Sequence, residues 1–169
     1  MSNNMKLNFA ENVFPLLAPI DSATTSINQL FVDARRALHV TFYIYLGVIT
    51  GAATTSHPTI TVEAATAAAS STNPTAIPFT YRLSAATGTN TWGAITAATS
   101  SGFTVDIVSG DGKMIAIDVN LASLDGLLAD AAFLRPVISI VGGGSVFLNA
   151  VWAEIEPRYP QLTQISAAS

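Results

Sequence analysis

The chain has 169 residues, no cysteine and a formal net charge of −4, and only 11% of its residues are charged, against about 25% in an ordinary globular protein. Zero cysteines exclude disulfides, thiolate metal sites and a cysteine nucleophile, and seven scattered Lys and Arg residues form no stripe that would neutralise a phosphate backbone. Half of the residues are apolar and mean hydropathy is +0.45, which excludes a disordered chain and, at this length, points to one domain spanning residues 1–169.

In chain order, residues 1–12 read as an extended N-terminal segment. Met1-Ser-Asn-Asn-Met-Lys lacks the apolar core of a signal peptide, so synthesis and use without Sec export are expected. Val13 to Ile20 and Ile27 to Val32 read as outer strands, with Pro15 and Pro19 suited to an edge. His39 to Leu46 alternates most clearly. Val40, Phe42, Ile44 and Leu46 fall on one face, and His39, Thr41, Tyr43 and Tyr45 on the other.

Short strands follow at Thr59 to Glu63, Ile77 to Leu83 and Phe103 to Ile107. Ser109-Gly-Asp-Gly112 is a turn signal that would lead the last of these into a strand from Lys113 to Val119. Leu121, Leu124, Leu127 and Leu128 have helical spacing behind a capping Asn120, enough for one or two turns. The last strands are Leu134 to Val141 and Ser145 to Ile155, with Gly142-Gly-Gly144 as a hairpin connection, before a C-terminal tail at 157–169. Ala64 to Thr75 and Ser84 to Ser101, rich in Ala, Thr, Ser, Gly and Asn, read as uncharged loops. Eight or nine strands with one short helix predict an all-β, antiparallel β-sandwich of jelly-roll or Greek-key type.

A membrane span does not fit the two longest apolar stretches. Ala37 to Ala53 falls short of the roughly 20 residues a spanning helix needs and is rich in β-branched and aromatic residues. Phe133 to Ala153 contains Arg135, Pro136, Asn149 and the glycine run. No membrane contact is expected.

The residues that usually carry chemistry are sparse. His39 and His57 are the only histidines, and no further ligands lie near them at metal-site spacing. No serine sits in Gly-x-Ser-x-Gly. Asp106, Asp111 and Asp118 surround a turn without the spacing of a calcium loop, and no helix follows the triple glycine to cradle a phosphate. No catalytic residue, metal or cofactor is expected. Trp92 with Tyr81, or Trp152, would suit sugar stacking; a tryptophan plugging the end of a sandwich is the simpler role.

Several segments in order resemble the head-decoration, or capsid cement, proteins of tailed bacteriophages. They are Ala37-Leu-His-Val-Thr-Phe-Tyr-Ile-Tyr-Leu-Gly-Val-Ile-Thr-Gly, Ile60-Thr-Val-Glu-Ala and Ile77-Pro-Phe-Thr-Tyr-Arg. Thr91-Trp-Gly-Ala-Ile-Thr-Ala-Ala-Thr-Ser-Ser-Gly-Phe-Thr, Met114-Ile-Ala-Ile-Asp-Val and Glu156-Pro-Arg-Tyr-Pro complete the set. The resemblance implies a β-sandwich made in the bacterial cytoplasm and carried on the virion. There it would bind the major capsid protein, commonly as a homotrimer, and clamp neighbouring capsomers. Candidate interface residues are Tyr43, Tyr45, Tyr81, Arg82, Trp92, Arg158 and Tyr159. The alternative is a carbohydrate- or host-binding sandwich module of a phage tail or fibre.

Overall fold

A computed structural model describes residues 13–22, 27–28, 30–48, 57–68, 74–105, 112–124, 133–140 and 147–158. Alternation in sequence becomes alternation in burial. Along β4 (Ala37–Leu46), Val40, Phe42, Ile44 and Leu46 are fully buried, and His39, Thr41, Tyr43 and Tyr45 are half-buried on the other face. β4 pairs antiparallel with β10 (Met114–Asn120) on one edge and β12 (Phe147–Pro157) on the other. Ile115, Ile117 and Val119 of β10 and Val151, Ala153 and Ile155 of β12 extend the buried face.

The remaining strands are β1 (Val13–Ser22), β2 (Ile27–Asn28), β3 (Val32–Asp33), β5 (Pro58–Ala65), β6 (Thr75–Ile77), β7 (Phe79–Leu83), β8 (Thr96–Ala98), β9 (Phe103–Thr104) and β11 (Phe133–Ile140). The first sheet has the order β1-β12-β4-β10-β7-β8. The second has the order β2-β11-β5-β6, with β3 also on β11 and β9 also on β5. Every pairing is antiparallel.

The pairings nest. β1 joins β12, β2 and β3 join β11, β4 joins β10, and β5 joins β9, as in a long hairpin rolled up on itself. That is the jelly roll, and the expected β-sandwich is present. Pro15 and Pro19 lie on β1, an edge strand, the setting in which a sheet tolerates proline.

Nesting corrects several local expectations. Neither β9–β10 nor β11–β12 is a hairpin, because in each case the two strands fall in opposite sheets. Residues 106–111 and 141–146, including the glycine run, lie outside the described residues. The expected strand Ile77 to Leu83 divides at Pro78, with β6 in the second sheet and β7 in the first. Ile77 and Phe79 are both buried and Pro78 between them is exposed, so the alternation runs unbroken through the corner. The two uncharged segments expected as loops contribute the ends of β5 and β6 and the whole of β8. Twelve strands are thus described, more than the eight or nine expected. Ile27 to Val32 is two short pieces, and the strand from Phe103 ends at Thr104. The helical segment is one 3-10 turn, Leu121–Ser123, where Asn120 Oδ1 accepts the Ala122 N–H at 2.9 Å; residues 125–130 lie outside the described residues.

Two details tie the sheets together. Tyr81 of β7 stacks on Phe103 of β9, with centroids 3.7 Å apart and planes 5° from parallel, and Phe79 meets Phe103 edge-on at 6.1 Å. Gly102, just before β9, has φ of +75°, and a Cβ there would strike the Ile60 carbonyl oxygen and come within 2.7 Å of Thr61 Cγ2. Gly102→Ala therefore combines left-handed strain with a backbone clash. It should lower unfolding free energy by about 2 kcal/mol or more in denaturant titration.

The outer face of the second sheet holds a partly buried ion pair. Arg135 of β11 sits opposite Glu63 of β5, with Nε 2.9 Å and a terminal nitrogen 2.8 Å from Oε2. The guanidinium also lies over the Phe31 ring, 4.5 Å from its centroid. Arg135 is 9% exposed, so Glu63→Ala leaves a cation largely out of water with no carboxylate beside it. The expected cost is about 3 kcal/mol, whereas the paired replacement Glu63→Leu/Arg135→Met should cost clearly less than Glu63→Ala alone, both read by urea denaturation.

Candidate functional site

The most feature-rich surface is the outer face of the first sheet. Ladder register sets it out in rows across the strands. One row runs Pro15, Trp152, Tyr43, Ala116, Arg82, and the next runs Val13, Glu154, Thr41, Asp118, Thr80. Beyond the first row stand Ala150, Tyr45 and Met114, and beyond the second stand Glu156, His39 and Asn120. The aromatic residues therefore gather in the middle of the face with polar residues along one flank.

Ala116 is the small residue between Tyr43 and Arg82, and the shortfall in side-chain volume makes a recess. This recess, polar on one side and apolar on the other, encloses about 260 Å³ over Ala116, with Thr41, Thr80, Tyr81, Arg82, Ile95 and Asp118 around it. A second, apolar recess of about 350 Å³ is lined by Val13, Tyr43, Trp92, Met114 and Trp152. Tyr43 lines both.

Trp92 is brought to this face by the segment after β7. Ala85 N–H donates to Thr91 O and Gly93 N–H donates to Leu83 O, both at 2.8 Å, so the chain is clamped on either side of the indole. Arg82 lies over the Trp92 ring at 5.0 Å from its centroid.

Hydrogen bonds fix the polar flank. Tyr43 Oη donates to Glu154 Oε2 at 2.9 Å. His39 Nδ1 is 3.2 Å from both carboxylate oxygens of Asp118, and Thr41 Oγ1 donates to the same carboxylate at 3.5 Å. Burial, then the Glu154 carboxylate accepting the phenol proton, pushes the Tyr43 hydroxyl up to about 12.

No family model and no curated protein matches the chain. Among solved structures, it is similar to the infectious bursal disease virus Gt strain at TM-score 0.27 and 13% identity, covering 93% of this chain and 45% of that one. T=1 particles derived from infectious bursal virus align at TM-score 0.26 and 11% identity, over 93% of this chain and 43% of that one. The chain thus spans less than half the length of these neighbours, at scores too low to establish a shared fold.

The expected interface residues divide. Tyr43, Tyr45, Arg82 and Trp92 share the outer face of the first sheet. Tyr81 does not join them as a stacking surface: its ring packs inward on Phe103, because it sits one residue out of phase with Arg82 on β7. Arg158 is exposed past the end of β12, about 20 Å along the strand from Trp152, and its N–H donates to Arg36 O at 2.7 Å. Tyr159 lies outside the described residues.

Val13, Met114, Ala116 and Glu154 carried no signal as separate letters; only cross-strand register unites them. His39 lies on the outer face of the first sheet and His57 at the start of β5 in the second. Among the described residues, no three His, Asp or Glu side chains gather in a metal-binding group, and no helix is long and apolar enough to cross a membrane.

Tyr43 supplies a direct test of this geometry. Its raised pKa means that its contribution to stability is complete below pH 10 and lost as pH rises through about 12. The difference between ultraviolet titrations of the wild type and Tyr43→Phe should show one phenol ionising near 12. A midpoint near 10 would contradict the hydrogen bond to Glu154.

Proposed function

We propose that this chain is a non-enzymatic virion structural protein that coats the outer surface of a tailed-phage head. It would bind the major capsid protein as a homotrimer and clamp neighbouring capsomers. The observation that carries this reading is an exposed surface without charge along one side of the sandwich.

From Ala85 to Ser101 no residue is charged and nearly all are exposed. This stretch leads through β8, whose outer edge pairs with no other strand among the described residues. Between β8 and β6 lies a recess of about 410 Å³, lined by Thr75, Ala76, Ile77, Pro78, Ala97 and Ser100 with their neighbours. β1 at the opposite edge carries two prolines, whereas β8 carries neither proline nor charge. An unguarded edge invites pairing and is tolerated when a permanent neighbour covers it. Interface cores are likewise depleted in charge. The sequence segments resembling phage head-decoration proteins point the same way. Many copies, each with a modest contact, would reinforce a shell by avidity.

The test is reconstitution on heads that lack the protein. Purified chain should bind such heads saturably, and Thr75→Asp/Ser100→Asp, at two exposed positions flanking the recess, should weaken binding about tenfold or more with an unchanged melting temperature. Equal binding by the double variant would move the contact elsewhere. No binding by the wild type would contradict the proposed function.

A further inference from the structure

The outer face of the first sheet offers two recesses that meet at Tyr43, one almost wholly apolar and one of mixed polar and apolar lining. One is walled by the Trp92 and Trp152 rings, and the other sets the Asp118 carboxylate, the Arg82 guanidinium and the Thr41 and Thr80 hydroxyls opposite the exposed Ile95. We propose that this face is a binding site for a neutral saccharide, with a sugar ring on the indoles and its hydroxyls turned into the polar recess. The site goes beyond the structural role above and does not depend on it.

Three features select this ligand chemistry. First, a pyranose has one apolar C–H face and a rim of hydroxyls, the same division that Tyr43 imposes on the protein. Second, the recess carries one cation, Arg82, and one carboxylate, Asp118, so its formal charges balance and it offers no net attraction to an ionic ligand of either sign. Third, β12, β4 and β10 lie inside the sheet with their backbone groups committed to ladders, so an extended peptide finds no free strand edge here. The two recesses together fall within the roughly 300–1,000 Å³ typical of small-ligand sites.

The rings are also held before a ligand arrives. Arg82 covers one side of Trp92, backbone hydrogen bonds clamp the residues on either side of it, and Tyr43 is tied to Glu154. Preorganisation of this kind lowers the ordering cost of binding.

The experiment is a tryptophan-fluorescence titration of the full chain with cellohexaose, maltohexaose and chitohexaose, backed by a broad glycan array. At least one neutral glycan should quench and blue-shift the emission with a Kd of about 1 mM or tighter. Trp152→Ala should weaken that binding about tenfold or more, and so should Ala116→Leu, which fills the polar recess without removing an aromatic ring. Melting temperatures of both variants verify that they fold, and Tyr43→Phe provides a milder second variant if either does not. Three results would overturn the proposal: no neutral glycan bound, only acidic glycans bound, or binding unchanged in the folded variants. Loss of sugar binding with head attachment intact would separate this site from the structural role.

Discussion

β4 is paired along nearly its whole length on both sides, to β12 and to β10, and its alternation is strict. Because side chains alternate with period two, slipping either register by one residue would misalign the buried face across the sheet. A flip of β4 itself would carry Phe42, Ile44 and Leu46 into water and Tyr43, Tyr45 and His39 into the core. Each large apolar side chain contributes about 1.5–3 kcal/mol on burial, so the penalty is a sizeable fraction of a domain's stability. With β4 fixed, β12 and β10 are fixed, and β1 and β7 follow on their far edges. The nested pairing of first strands with last then leaves β11 and β5 to close the sandwich from the other side.

The same strand that organises the core organises the surface. The inward residues of β4 contact the second sheet's apolar face, while the outward ones anchor a row that reaches from β1 to β7. Aromatic residues on a half-exposed sheet face usually serve cross-strand packing. Here packing leaves a dip over Ala116, since an alanine between tyrosine and arginine cannot fill the row. Few charges are spent on this fold, and several of those that are described are held in pairs: Glu63 with Arg135, and Asp33 with Arg35. The uncharged flank at β8 and the mixed polar-aromatic face on β4 adjoin at the segment that carries Trp92 and Ile95.

Much of the fold was legible in period-two patterning. β1, β4, β5, β10, β11 and β12 lie close to where alternation and turn residues put them, and the sandwich followed from their number and spacing. Connectivity was less legible. Gly142-Gly-Gly144 between two apolar runs carries the local signature of a hairpin, and nothing local records that β11 and β12 belong to opposite sheets. Pro78 hid a corner because Ile77 and Phe79 on either side are both buried. β8 was hidden in Ala and Thr, which lack the bulk that marks a strand. At the surface, Tyr43, Arg82 and Trp92 stood out as single residues, whereas the stacking of Tyr81 on Phe103 rather than beside Trp92 left no mark in the sequence. The phase of Tyr81 on β7 is fixed by pairing with Ile117, a partner far away in sequence.

The central functional claim is that this sandwich is a coat subunit of a phage head. It is tested most directly by the number of copies in purified particles, counted by quantitative mass spectrometry against the major capsid protein. A ratio near one per capsid subunit, or a simple fraction of it, is the predicted result. A handful of copies would place the protein in a tail or fibre, and absence from the particle would contradict a structural role in the virion.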